Sequence, residues 1–144
     1  MVKRRVRKDW AYNLWTPKEL IMFDYKKPTV QMLGRWQPWH KGHTELFKRA
    51  LAKTGQVCIM IRLTEENDSN PFDPLTVTNN IKKGLSQEGY SFNKEYTIVV
   101  MPNIVDISYG RGVGYTFTEH DLGKEIHSIS ATKIRQSLKE EGKL

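Results

Sequence analysis

Cysteine is nearly absent from this chain: Cys58 is the only one among 144 residues. A lone thiol closes no internal disulfide, so cross-linking is excluded as a source of stability, and a reducing, cytoplasmic setting is expected. Cys58 lies in an apolar run and reads as a small buried side chain. Long hydrophobic stretches are lacking as well. Nothing approaches the roughly 18 consecutive apolar residues of a membrane span. No apolar core follows the basic start Met1–Lys8, so neither a membrane partner nor a secretory leader is expected. Internal repeats and low-complexity segments are missing too. Acidic residues are the scarcer charge, 16 against 23 Lys and Arg, for a net +7. The excess is concentrated: residues 1–28 carry eight basic and three acidic side chains, residues 29–144 fifteen and thirteen. The body of the protein is therefore close to neutral, which argues against a nucleic-acid surface there. A basic arm can meet nucleic acid, an acidic partner or a phosphorylated substrate, or pack as a dimer-building extension.

What is present reads as one domain with an appendage. Residues 1–28 form a basic N-terminal extension. Within it Thr16-Pro17-Lys18-Glu19 has the form of a capping box with proline in the first turn. A short helix to about Tyr25 is expected, packing through Leu20, Ile21 and Phe23. Trp10, Tyr12 and Trp15 are too apolar for a free tail and should pack on the domain or on another subunit. Over residues 29–144 strand-like and helix-like patterns alternate. Thr29–Leu33, Gln56–Leu63 and Tyr96–Met101 read as strands, the second an apolar run of the kind covered on both faces. Helices are expected over Thr44–Lys53, after the Asp73-Pro74 cap with Val77, Ile81 and Leu85 on one face, and after Ser130 with Ala131, Ile134 and Leu138. Ile104–Tyr109 reads as extended and Gly110–Gly114 as a turn. This alternation predicts an α/β fold, a small parallel sheet with right-handed crossovers.

Ligands of open parallel sheets bind beyond the carboxyl ends of the strands. The segment Gly34-Arg35-Trp36-Gln37-Pro38-Trp39-His40-Lys41-Gly42-His43 lies there and holds two of the four histidines. Gly34 allows a backbone to approach a ligand closely. A helix start offers free N–H groups and a partial positive charge. Cations such as Lys41 and His43 there cost roughly 0.3–1 kcal/mol each unless an anion compensates. The stretch Ser128–Arg135 repeats the pattern at the last helix, with Lys133 standing where a capping box would carry Glu. Two such helix starts in one small parallel-sheet domain point to a polyphosphate held between them. The His-x-x-His spacing also suits a helix cap or a metal site; with no further His or Cys close by, metal is the weaker reading. Trp36 and Trp39 read as core aromatics, Trp39 also as a pocket wall. Lys41 reads equally as a solvated helix charge. His120 and His127 read as surface residues, and Gly110–Gly114 as a tight turn or a phosphate-contacting loop.

The two segments resemble the signatures of the nucleotidyltransferase superfamily that carries an HxGH motif. Gly34–His43 looks like the first signature and Ile129–Arg135 like the second, the ISxTxIR type, in the right order at the two ends of a domain of similar size. The first segment, with Asn70-Pro71-Phe72 after the second strand, is most similar to archaeal-type nicotinamide-mononucleotide adenylyltransferases. The short length and the second segment are as similar to the cytidylyltransferase-like branch. The resemblance implies a Rossmann-like parallel sheet with helices on both faces. It implies transfer of a nucleoside monophosphate from NTP, ATP favoured, to a phosphorylated small molecule with release of pyrophosphate. The alternatives are a cytidylyltransferase using CTP with a phosphorylated alcohol and a non-catalytic nucleotide-binding module. By the same resemblance His40, His43, Thr132 and Arg135 are catalytic. Gly34, Arg35, Trp36, Gln37, Lys41, Gly42, Gly110, Arg111, Ser130 and Lys133 contact the nucleotide, and Trp39 contacts the acceptor. Mg2+ is carried mainly by the triphosphate, without a protein metal site. Larger adenylyltransferases insert a further strand and helix where this chain has only Met101–Tyr109. A smaller sheet is therefore expected, with an acceptor pocket left open or completed by a neighbouring subunit in a homo-oligomer.

Overall fold

Three apolar segments pair into one parallel sheet in the computed structural model, which describes residues 22–112, 114–127 and 130–144. The strand order is β1 (Val30–Gly34), β2 (Val57–Arg62), β3 (Tyr96–Met101). The register sets Val30, Val57 and Tyr96 abreast, then Met32, Ile59 and Ile98. Residues abreast share a face, so one face collects Val57, Ile59, Ile61 and Tyr96, each at most 2% exposed. Helices α1 (Lys41–Thr54) and α2 (Pro74–Ser86) cover it with Phe47 and Ala50, and with Val77, Ile81 and Leu85. Those apolar positions recur at three- and four-residue spacing, which is why each helix has one face to bury. The opposite face, with Leu33, Met60 and Val99, is half-buried. Cys58 belongs to it and is half-buried rather than sealed; burial pushes its thiol pKa up and keeps it neutral.

The helix boundaries follow their capping chemistry. Gly55, at φ 89°, closes α1 by donating its N–H to Leu51 O at 2.7 Å. Asp73 Oδ1 accepts from Thr76 N–H at 2.7 Å, a bond that holds the carboxyl below the usual carboxylate range, and Pro74 fills the first turn of α2. A four-residue helix, α3 (Lys124–His127), has no sequence signal of its own. Arg49 of α1 donates to Asp121 O at 2.8 Å just before it. Ser130 Oγ accepts from Lys133 N–H at 3.0 Å and opens α4 (Ala131–Glu140), as its sequence predicts.

Three expectations differ from the structure. Ile104–Tyr109 makes no strand: Arg62 Nη1 donates to Ile104 O at 3.2 Å, and beyond that point Val105, Ile107 and Tyr109 lie exposed. Most of the N-terminal extension, with Trp10, Tyr12, Trp15 and Thr16–Glu19, lies outside the described residues. The helix expected to reach Tyr25 does not cover Met22–Tyr25, which is bend and turn. Gln56, 6% exposed, gives the reason: its Nε2 donates to Asp24 O at 2.7 Å and Thr29 Oγ1 at 2.6 Å, and its Oε1 accepts from Asp24 N–H at 3.2 Å. Those bonds engage the backbone groups a helix would use. Phe23 is buried, as expected of it, and donates its N–H to Asn93 O at 2.8 Å. His120 is half-buried rather than on the surface. Among the described residues no helix is long and apolar enough to cross a membrane.

Candidate active site

The turn from β1 into α1 is built around a tryptophan in the left-handed region. Trp36 has φ 54°, a conformation that costs a bulky residue of order 1–3 kcal/mol. Three contacts hold it. The ring is buried, its Nε1 donates to Met60 O at 3.0 Å, and its face lies on Gly34, where a Cβ would come within 2.8 Å of the indole. Gly34 therefore makes room for Trp36, rather than only for a ligand. Gln37 is equally engaged: Nε2 donates to Phe72 O and Oε1 accepts from Phe72 N–H, both at 2.9 Å. This reciprocal pair ties the β1–α1 turn to the loop after β2. Trp39, 8% exposed, donates its Nε1–H to Thr44 Oγ1 at 2.8 Å.

His40 is the N-cap of α1. Its Nδ1 accepts from Gly42 N–H at 3.0 Å, while His43 Nδ1 accepts from His40 N–H at 3.1 Å. The two imidazoles thus replace the hydroxyl and carboxylate of an ordinary capping box. They stack at 3.6 Å between centroids, 21° apart, and His43 also meets the rings of Trp36 at 4.8 Å and Trp39 at 5.4 Å. An Nδ1 that accepts is unprotonated, so the hydrogen bonds assign the proton of each neutral ring to Nε2. Burial is the cause that keeps both rings neutral. It lowers the pKa of His40, and with the repulsion of His40 it takes His43 to about 3. One expectation is corrected here. The amide of Gly42 is not a free donor at the helix start, because it donates to His40 Nδ1 at 3.0 Å. Gly42 itself is buried, and a Cβ on it would sit 2.8 Å from His40 Cε1.

The second segment meets the first through Arg135. Its Nη1 donates to Gln37 O at 2.6 Å across 98 positions of sequence, and its Nη2 donates to Thr132 Oγ1 at 3.2 Å. Burial first, and then the guanidinium of Arg35, lower its pKa, so the two arginines sit within each other's field. Arg35 Nη1 donates to Asn70 Oδ1 at 3.2 Å. Asn70 is oriented in turn by Asn67, whose Oδ1 accepts from Asn70 Nδ2 at 3.1 Å. His40, His43, Arg35, Thr132 and Arg135 are thereby assembled on one framework. Ser130 serves as the cap of α4, and Lys41 and Lys133 are exposed. Gly110 and Arg111 are exposed in the loop after β3.

A cleft of about 580 Å³ borders this assembly and shares His40 and Lys41 with it. Sequence reasoning passed over its α2 wall, Asn80, Lys83 and Gly84. The available signal was Gly84 itself: a glycine inside a helix costs about 1 kcal/mol against alanine and needs a packing reason. The reason is Trp39, whose ring would lie 3.0 Å from a Cβ there.

No family model matches the chain. It is similar to the nicotinamide-nucleotide adenylyltransferase of Ignicoccus hospitalis, at 31% identity over 74 residues, 50% of this chain and 43% of that protein. The match spans less than half the length of that curated relative. Along about half its length, then, the chain is similar to that adenylyltransferase, and its three-stranded parallel sheet flanked by helices agrees with a Rossmann-like α/β domain.

Proposed function

We propose that this protein transfers a nucleoside monophosphate from a nucleoside triphosphate, ATP favoured, to a phosphorylated small molecule with release of pyrophosphate. The observation that carries the reading is the Arg135–Gln37 hydrogen bond, which joins the stacked His40–His43 pair to the Arg35–Arg135–Thr132 group. An oxygen of the acceptor phosphate attacks the α-phosphorus in line, the bond to the β-phosphate's bridging oxygen breaks, and pyrophosphate leaves with that electron pair. The attacking phosphate is already ionised near neutral pH, so no base is required; the protein positions and neutralises. The Nε2–H groups of His40 and His43 donate to oxygens of the α-phosphate, whose charge grows in the transition state. Being neutral, they act as donors rather than cations, and the positive charge comes from Arg35, Lys41, Lys133 and Arg135. Guanidinium forks suit the leaving β- and γ-phosphates.

Mg2+, bound to the triphosphate, supplies further charge neutralisation. The cations and imidazoles around the site fit an ion brought in by the triphosphate. Pyrophosphate release across the four triphosphates tests the reading, with nicotinamide mononucleotide as the first acceptor, after the relative's name, and phosphocholine as the second. ATP-dependent release that requires an acceptor is the expected result. Tight triphosphate binding without release for any pair would leave a non-catalytic nucleotide-binding module.

A further inference from the structure

The sheet has an edge with no strand beside it. Val30 N–H donates to Gln56 O at 3.2 Å, so Val30, Met32 and Gly34 turn their backbone groups toward β2. Backbone groups alternate sides along a strand, which points the N–H and C=O of Gln31 and Leu33 away from it. Among the described residues no strand pairs there, and Gln31 is exposed. The sequence Val30–Gly34 carries none of the charge or proline that usually blunts an edge. The outer edge of β3 differs, because Tyr96 O already accepts from Asn93 N–H at 2.7 Å.

The chain also holds an extended segment with no sheet to join. Val105, Ile107 and Tyr109 alternate with Asp106 and Ser108, the period of a strand. Residues 105–109 run without turn or bend, and Ser108 Oγ donates to Asp106, so those two share one side. The apolar three are 84%, 54% and 58% exposed, and Tyr109 stacks at 6.2 Å on Phe117, itself 68% exposed. Four such side chains expose on the order of several hundred Å² of apolar surface, the scale that marks an interaction site. The segment has no edge within reach in its own chain. Only Pro102 and Asn103 separate it from β3, against the dozen residues of a parallel crossover. Arg62 of β2 donates to Ile104 O at 3.2 Å, which draws the chain toward β2 and away from the outer side of β3. From β2 the open side of β1 lies two strand spacings off, about 10 Å, so about three residues would be spent in crossing.

We propose that two copies of the chain exchange this segment: residues 104–109 of each add as a fourth strand to the β1 edge of the other. The outward backbone groups of Gln31 and Leu33 gain partners, and Val105, Ile107 and Tyr109 extend the half-buried row of Leu33, Met60 and Val99. Charge favours this occupant. Asp106 is the segment's one charged residue, while Lys26, Lys27 and Arg35 flank β1 and are exposed. Residues 1–21, with six basic and two acidic side chains, would meet them with like charge. Made reciprocally about a twofold axis, the exchange closes as a dimer. It uses none of the groups assigned to the phosphates, apart from the charge of Arg35, and stands whether or not the transfer reading does.

Sedimentation equilibrium of the full chain should give twice the chain mass. Ile107→Asp should give the single mass with an unchanged far-ultraviolet spectrum, since Ile107 is exposed in the single chain. Contact between copies is read directly in a Cys58→Ser background. Gln31→Cys and Ile107→Cys, purified separately, mixed, equilibrated and treated with a short bismaleimide, should give a covalent dimer that neither gives alone. A monomeric wild type, a dimer that Ile107→Asp leaves intact, or a mixture that does not cross-link each overturns the exchange. So does a link within one chain when both cysteines are placed on it, which would put the segment on its own β1 edge.

Discussion

Each histidine of the pair has two jobs in the proposed transfer. Nδ1 of His40 and of His43 caps backbone amides, and Nε2–H is the donor proposed for the α-phosphate. Asparagine separates the jobs, because its Oδ1 can stand in for Nδ1 while nothing replaces Nε2–H. His40→Asn should keep its thermal midpoint near wild type and lower kcat by about 100-fold or more, the scale of a lost transition-state donor. His40→Ala should lose the cap as well, about 1 kcal/mol in urea unfolding. Equal kcat in the Asn variant would remove the donor role. The pH dependence has a definite sign. His43 has a folded-state pKa of about 3 against an ordinary 6.5. Between those values the unfolded chain binds a proton that the folded chain refuses, so stability present above about pH 6.5 is lost as pH falls toward 3. Urea midpoints from pH 7 to pH 4 should fall more steeply in wild type than in His43→Asn.

At the scale of elements, much was legible because local rules set it. The caps Asp73 and Ser130 and the strand Tyr96–Met101 were all visible as side-chain type and period. The β1–α1 turn was legible as a site and illegible as a structure. Nothing in the spacing says that Trp36 adopts a positive φ or that its ring lies on Gly34; that contact depends on Met60 presenting a carbonyl from the next strand. The same is true of Gln37, whose partner Phe72 is 35 residues away. The consequence is measurable. Gly34→Ala places a Cβ 2.8 Å from a pinned, buried ring, and overpacking of that kind costs about 1–3 kcal/mol. Denaturant unfolding should show that loss. A stability unchanged within about 0.5 kcal/mol would mean that the Trp36 ring yields freely.

For the whole molecule, the meeting of the two segments was expected from the sequence, while the manner of their meeting was not. It consists of one guanidinium spanning Gln37 O and Thr132 Oγ1. Helix α4 contributes no fully buried residue, so few apolar contacts hold it, and an element of that kind opens locally before the core does. Arg135→Lys keeps the charge but loses the fork, and an ammonium on a flexible stem does not hold both acceptors in the same geometry. Backbone amides of α4 should then exchange with deuterium faster, while those of β2 and the global unfolding midpoint stay near wild type. On the role proposed for Arg135 at the leaving phosphates, the triphosphate KM should rise about 10-fold or more. Faster exchange in α4 with unchanged KM would make Arg135 a tether only. Raised KM with unchanged exchange would make it a ligand group whose contact to Gln37 is incidental.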